Sequence, residues 1–136
     1  MLLIKDGTVH TLCSDSSIRA DVLVKGRQIV AIGPNLSCDE KSGKTISAKG
    51  LNVYPGFIDA HSHVGISEEK IGTAGNDCNE STSPVTPSLR AIDAINPMDS
   101  AFHNAISSGV TVALTGPGSA NPIGGQFACI KTDGRR

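Results

Sequence analysis

The 136-residue chain carries twelve Lys and Arg against thirteen Asp and Glu, a formal net charge of −1, which argues against a nucleic-acid or anionic-membrane partner. Its length suits one domain or a little more. With 38% hydrophobic residues and only 3% aromatics, any core must rest on Val, Ile, Leu and Ala.

The first third reads as short strands and turns. Leu2–Lys5 and Thr8–Leu12 flank Asp6-Gly7, a two-residue hairpin signal. Asp21–Lys25 and Gln28–Ile32 flank Gly26-Arg27 in the same way, and Gly33-Pro34 stops the second strand. Val22, Val24, Ile29 and Ile32 suggest a half-buried sheet. After a polar loop over 35–44, Thr45–Ala48 and Leu51–Tyr54 form a third pair around Lys49-Gly50. Residues 1–54 are therefore expected to be a small all-β module.

The pattern changes at Pro55-Gly56. Phe57–Val64 has strand propensity and ends at Gly65; a long polar segment follows over 65–95, with a short helix expected from Pro87 to Ala94 behind Thr86. A better-marked helix spans 97–108, with Asn96 as cap, Pro97 in the first position and Asp99 in the first turn. Met98, Ala101, Phe102, Ala105 and Ile106 share one face, and Gly109 closes the helix. Val110–Leu114 is an apolar run of the kind buried in parallel sheets. Strand, helix and strand compose a βαβ unit, followed by the glycine-rich loop "TGPGSANPIGGQ" and a last strand, Phe127–Lys131.

The four cysteines, Cys13, Cys38, Cys78 and Cys129, contain no C-x-x-C pair, so neither a zinc ribbon nor a redox motif is available. The opening "MLLIKDG" meets a charge and a turn too soon for a signal peptide, and no apolar run approaches the roughly 20 residues of a spanning helix. A cytoplasmic protein with reduced thiols is expected.

The chemistry concentrates in "PGFIDAHSHVG", residues 55–65. Side chains alternate along a strand, so Asp59, His61 and His63 share one face, and Ile58, Ala60, Ser62 and Val64 the other. Three polar groups facing a protein interior need a partner. Neutral imidazoles ligate Zn²⁺ at about 2.0–2.1 Å, so His61 and His63 can share one ion. Asp59, deeper along the strand, suits a role behind the ligands as a hydrogen-bond acceptor. Two surface histidines on a half-exposed strand would produce the same letters. The Pro-Gly turn, the apolar strand and the long polar loop afterwards favour the metal.

With "NVYPGFIDAHSHVG" behind a hairpin-rich module containing "IVAIG", the chain resembles the amidohydrolase superfamily of metal-dependent hydrolases. Within it, the stretch "SSGVTVALTGPGSANPIGGQ" is similar to the second barrel strand and loop of the imidazolonepropionase-related group. The resemblance implies an α/β architecture. A small composite β-sandwich domain, to which 1–54 contributes, precedes a (β/α)₈ TIM-type barrel that 55–136 begins. It also implies one or two divalent metals, usually zinc, and hydrolysis of C–N bonds in amides, cyclic amides, amidines or some dipeptides. His61 and His63 match the two ligands of the first strand. A small-molecule substrate is implied, and a homo-oligomer is expected of the complete protein.

The remaining ligands of that family, a Lys or Glu on the fourth strand, histidines on the fifth and sixth and an aspartate on the eighth, have no counterpart in this sequence. A barrel of this type needs at least about 200 residues. His10 sits in the β-module, His103 lies off the apolar helix face, and Lys131 reads as an ordinary strand-end lysine. Two imidazoles alone cannot complete a catalytic zinc site. The expectation is an incomplete barrel, from a truncated gene, an expressed piece or a cleaved product, inactive by itself and with no catalytic residue of its own. Two rivals are a β-rich assembly module without metal and an enzyme completed by a second polypeptide. In the loops, Asn121 and Gln126 either face substrate or hold the loop. Gly116, Gly118, Gly124 and Gly125 suit tight turns, and Glu68, Glu69, Asp77 and Glu80 are expected in solvent.

Overall fold

The computed structural model describes residues 1–39 and 43–133. Parts of the polar loop at 35–44 and of the basic tail lie outside the described residues. The chain divides into two compact units, Met1–Pro55 and Gly56–Arg136.

Unit 1 is a five-stranded mixed sheet made of β1 (Leu2–Val9), β2 (Ile18–Lys25), β3 (Gln28–Gly33), β4 (Lys44–Ser47) and β5 (Asn52–Val53). The strands run β3-β2-β1-β4, with β5 also on β1. The Gly26-Arg27 hairpin forms as expected, with Lys25 opposite Gln28 and Gly26 at φ +60°. The Asp6-Gly7 hairpin does not form: β1 runs straight through it as a bulged strand. Pairs Leu2↔Val24 to Ile4↔Val22 give way to Gly7↔Ala20 to Val9↔Ile18, so Lys5 and Asp6 together oppose Asp21. Asp6 takes φ +61°, and its N–H donates to Asp21 Oδ1 at 2.8 Å. The other oxygen of Asp21 accepts from Leu36 N at 3.0 Å, and the residue is 3% exposed.

The Lys49-Gly50 pair is also not a hairpin. Both β4 and β5 lie parallel to β1, and the turn between them, closed by Leu51 N to Ala48 O at 2.9 Å, steps the chain along rather than reversing it. A strand returning on the same neighbour satisfies its own ladder without pairing to its predecessor. Val9, Ala20 and Val22 form the core, flanked by Ile4, Val24 and Val53. Ile29 and Ile32 on the edge strand β3 are exposed, contrary to the half-buried pattern expected of them.

Unit 2 contains β6 (Phe57–Ser62), a 3₁₀ turn (Gly72–Gly75), α1 (Ala91–Ala94), α2 (Ser100–Ser107), β7 (Val110–Thr115) and β8 (Ala128–Lys131). Strands β6 and β7 are parallel with α2 between them in the chain, so the βαβ connection is present. β8 returns antiparallel to β7, making a mixed sheet ordered β6-β7-β8. α1 is shorter than expected: Arg90 is its N-cap, and Thr86 instead donates its hydroxyl to Ile123 O and Gly124 O. α2 begins later than expected because Asp99, not Asn96, caps it, accepting from Ala101 N at 3.2 Å. Asn96 closes a turn of its own by accepting from Met98 N. The small core joins Ile66, Cys78 and Ala91 with Ile95 and Ala128. Among the described residues no helix is long and apolar enough to cross a membrane.

Replacing Asp21 by Asn keeps the shape but turns an amide N–H₂ toward a backbone N–H of Asp6 or Leu36. The loss of that buried acceptor is expected to cost about 1–3 kcal/mol, read as a lower denaturant midpoint at unchanged slope. An unchanged midpoint would show that the carboxylate does not hold the bulge.

Candidate metal centre

Strand β6 delivers His61 and carries the chain into His63, and the end of β7 locks both in place. Gly116 N donates to Ser62 O at 3.1 Å, and the Thr115 hydroxyl donates to Val64 O at 2.9 Å. The carbonyl of His63 itself accepts from Ile66 N at 3.0 Å and Ser67 N at 2.9 Å. Thr115 is fully buried, so its hydroxyl needs this acceptor and Val64 has its donor fixed in place. The backbone around His63 is thereby bonded on both sides.

The imidazole is held as well. His63 Nδ1 lies 2.6 Å from Gly116 O. A carbonyl oxygen only accepts, so Nδ1 carries the proton and the neutral ring keeps its lone pair on Nε2. That is the form a metal ligand requires. The His61 ring stands edge-on to it, with centroids 5.5 Å apart and planes at 84°. With Zn–N bonds of about 2.0–2.1 Å, two imidazoles on one tetrahedral ion would have centroids about 5.2 Å apart, so the separation fits shared coordination.

Other groups do less. Asp59 Oδ1 accepts from His61 N at 3.1 Å, bracing the strand at that residue. Among the described residues no cluster of three or more His, Cys, Asp and Glu side chains could hold a metal. Among the described residues the two rings thus stand without a third such side chain beside them. His10 is stacked on Tyr54 at 4.1 Å and bonded to Asn52, and His103 is exposed, so neither joins the pair. Cys78 is buried in the core of unit 2.

The loops after β6 and β7 are laced together by side-chain hydrogen bonds. Asn121 accepts from Glu80 N at 3.1 Å and donates to Glu80 O at 2.8 Å and Ser83 O at 3.2 Å. Gln126 donates to Pro87 O at 3.3 Å, and its backbone bridges to Arg90. Both side chains bond within the loops. Glu68 and Glu69 are not merely solvated. Glu68 accepts from Asn96, while Glu69 accepts from Ser100 and Asn104, which ties the loop to α2. The Thr82 N–H holds the Glu80 carboxyl below its ordinary range.

No family model matches the chain. Individual relatives do. An amidohydrolase named tasK from Hapsidospora irregularis is 36% identical over 113 residues, covering 82% of this chain and 12% of that protein. A dihydroorotase from Streptococcus pyogenes is 44% identical over 63 residues, 46% of this chain and 14% of the enzyme. The crystal structure of an amidohydrolase from Thermotoga maritima MSB8 superposes with a TM-score of 0.86 at 40% identity, covering 98% of this chain and 34% of that one. The chain belongs to the amidohydrolase superfamily. It corresponds to the N-terminal region of such amidohydrolases and spans only 12–34% of the length of these three relatives.

In this amidohydrolase segment the residues that sequence reasoning missed are Thr115 and Gly116. Both follow an apolar run and read as the start of a loop, yet the parallel register sets Thr115 beside Ser62. Nitrogen-15 NMR above the imidazole titration range is expected to show His63 protonated on Nδ1. An Nε2–H tautomer would contradict the bond to Gly116. Thr115→Val, which removes the hydroxyl at nearly constant volume, is expected to cost about 1–3 kcal/mol by leaving Val64 O unpaired, with Thr115→Ser recovering most of it.

Proposed function

We propose that this chain supplies part of the metal centre of a hydrolase acting on C–N bonds, with His61 and His63 as two nitrogen ligands of zinc or another divalent cation. The observation that carries the reading is the His63 ring, whose Nδ1 bond to Gly116 O leaves the lone pair on Nε2, with the His61 ring centroid 5.5 Å away. The relatives named an amidohydrolase and a dihydroorotase support the reaction class. Residues 55–136 would then be the opening strands and helix of a (β/α)₈ barrel and residues 1–54 part of its accompanying β-sandwich domain. We assign the imidazolonepropionase-related group on the "SSGVTVALTGPGSANPIGGQ" stretch, and a small-molecule substrate and a homo-oligomeric, cytoplasmic enzyme follow from the same reading.

The chain's own residues act by holding. Gly116 and Thr115 fix the direction of the His63 ring, Asp59 steadies the backbone of His61, and the laced loops over 76–91 and 116–126 keep the ground beside the pair ordered. A divalent ion bound there would polarise a scissile carbonyl and lower the pKa of water to about 7. One or two ions per complete site are compatible with a pair that fills only part of a shell. Exposed Phe57, Ile58 and Phe127 around the short sheet favour further chain packing on it in the working enzyme.

The full-length product of the gene is expected to retain a divalent metal through dialysis, and His61→Ala and His63→Ala should each lower that content and abolish hydrolysis of a C–N bond. Metal content unchanged in both variants would overturn the assignment. The 136-residue chain alone, whose described residues offer two ligands where a catalytic zinc needs three, is expected to show no metal-dependent amide hydrolysis. Turnover by that chain, abolished by chelator, would contradict the incomplete shell.

A further inference from the structure

The β7–β8 hairpin places an aromatic ring against the pair from two strands away. β8 pairs with β7 through Leu114↔Cys129 and Thr115↔Ala128, so the next rung sets Phe127 opposite Gly116. A Cβ added to Gly116 would collide with the ring atoms of Phe127, so the ring lies directly over that glycine. Beyond it, on β6, the Phe127 ring meets His61 with centroids 5.4 Å apart and planes tilted by 56°. Neighbouring strands lie about 4.8 Å apart, so a side chain on β8 reaches β6 only by crossing β7 where no side chain intervenes. An aromatic ring folded over a cross-strand glycine is a known means of fixing both. Tilted aromatic contacts at about 4.5–7 Å are favourable in their own right.

The His61 ring meets the rings of His63 and Phe127, whereas His63 also has the Gly116 carbonyl. Gly116 therefore serves both imidazoles: its oxygen orients one, and its missing side chain admits the ring that limits the other.

We propose that Phe127 is a positioning residue for His61, holding the imidazole at the angle that lets it share an ion with His63, and that Gly116 is required as glycine for the ring to reach. This rests on the reading of His61 and His63 as metal ligands. Phe127 does not touch the metal. It narrows the rotamers open to His61 before the ion arrives, which lowers the entropy lost on binding.

The experiment is titration of the full-length gene product with Co²⁺, followed by its visible d–d spectrum, which reports ligand geometry. Phe127→Ala is expected to weaken Co²⁺ binding about 10–100-fold, the usual range for a residue supporting a ligand, and to shift the bands. Phe127→Tyr, which keeps the ring, should restore both. Gly116→Ala should reproduce the Phe127→Ala change, and the double variant should be no worse than either, because both act through one ring. If Gly116→Ala fails to fold, the Ala and Tyr variants at 127 decide alone. Affinity and spectrum unchanged in Phe127→Ala, while His61→Ala abolishes binding, would overturn the proposal and leave the ligand assignment standing. Wild-type Co²⁺ binding that survives His61→Ala and His63→Ala together would overturn both.

Discussion

The two backbone bonds of Gly116 are the contact on which the candidate site depends. Its N–H ties to Ser62 O and its carbonyl takes the His63 ring proton, so one residue at the end of β7 fixes both the main chain and the side chain at the end of β6. A hydrogen bond from a ring to a main-chain carbonyl is indifferent to pH across the range where the imidazole is neutral, and it selects one tautomer of two. Buried Thr115 adds a third tie one residue earlier. Parallel pairing brings these groups together, because it sets two strand ends, rather than an end and a beginning, at the same edge of the sheet.

Orientation rather than burial therefore prepares the histidines. Reasoning from the strand alone made the cost of enclosing three polar groups the argument for a metal. Within the described residues Asp59 and His61 are exposed and His63 is half-buried, so these residues alone do not carry that argument. The better argument is the direction of a lone pair. A half-exposed imidazole would be free to turn, and this one is not.

What was legible in the sequence followed from local chemistry. Gly26-Arg27 makes its hairpin because β3, an edge strand, pairs with β2 alone, directly across that turn. The βαβ connection was visible because an apolar stripe at helical spacing separates two β-prone runs. His61 and His63 stood out because alternation along a strand needs no knowledge of neighbours. The failures share a cause. Asp6-Gly7 and Lys49-Gly50 have turn chemistry, yet β1 has partners along its whole length, and pairing with β2, β4 and β5 kept it straight. Asp21 reads as a strand aspartate until the bulge it stabilises is seen. Asn96 and Asp99 are both good caps, and the contact of Asp99 Oδ1 with Glu69 N, thirty residues away, favours the second. Gly116 and Phe127 were unreadable for the same reason: their importance comes from register with strands on either side.

The most direct measurement is anomalous diffraction at the zinc edge from crystals of the zinc-loaded full-length gene product. The account places a peak within coordinating distance of the Nε2 atom of His63 and of the His61 ring, with the Nδ1 of His63 still on the Gly116 carbonyl and further ligands from outside residues 1–136. An ion bound elsewhere, with both rings turned to solvent, would contradict it.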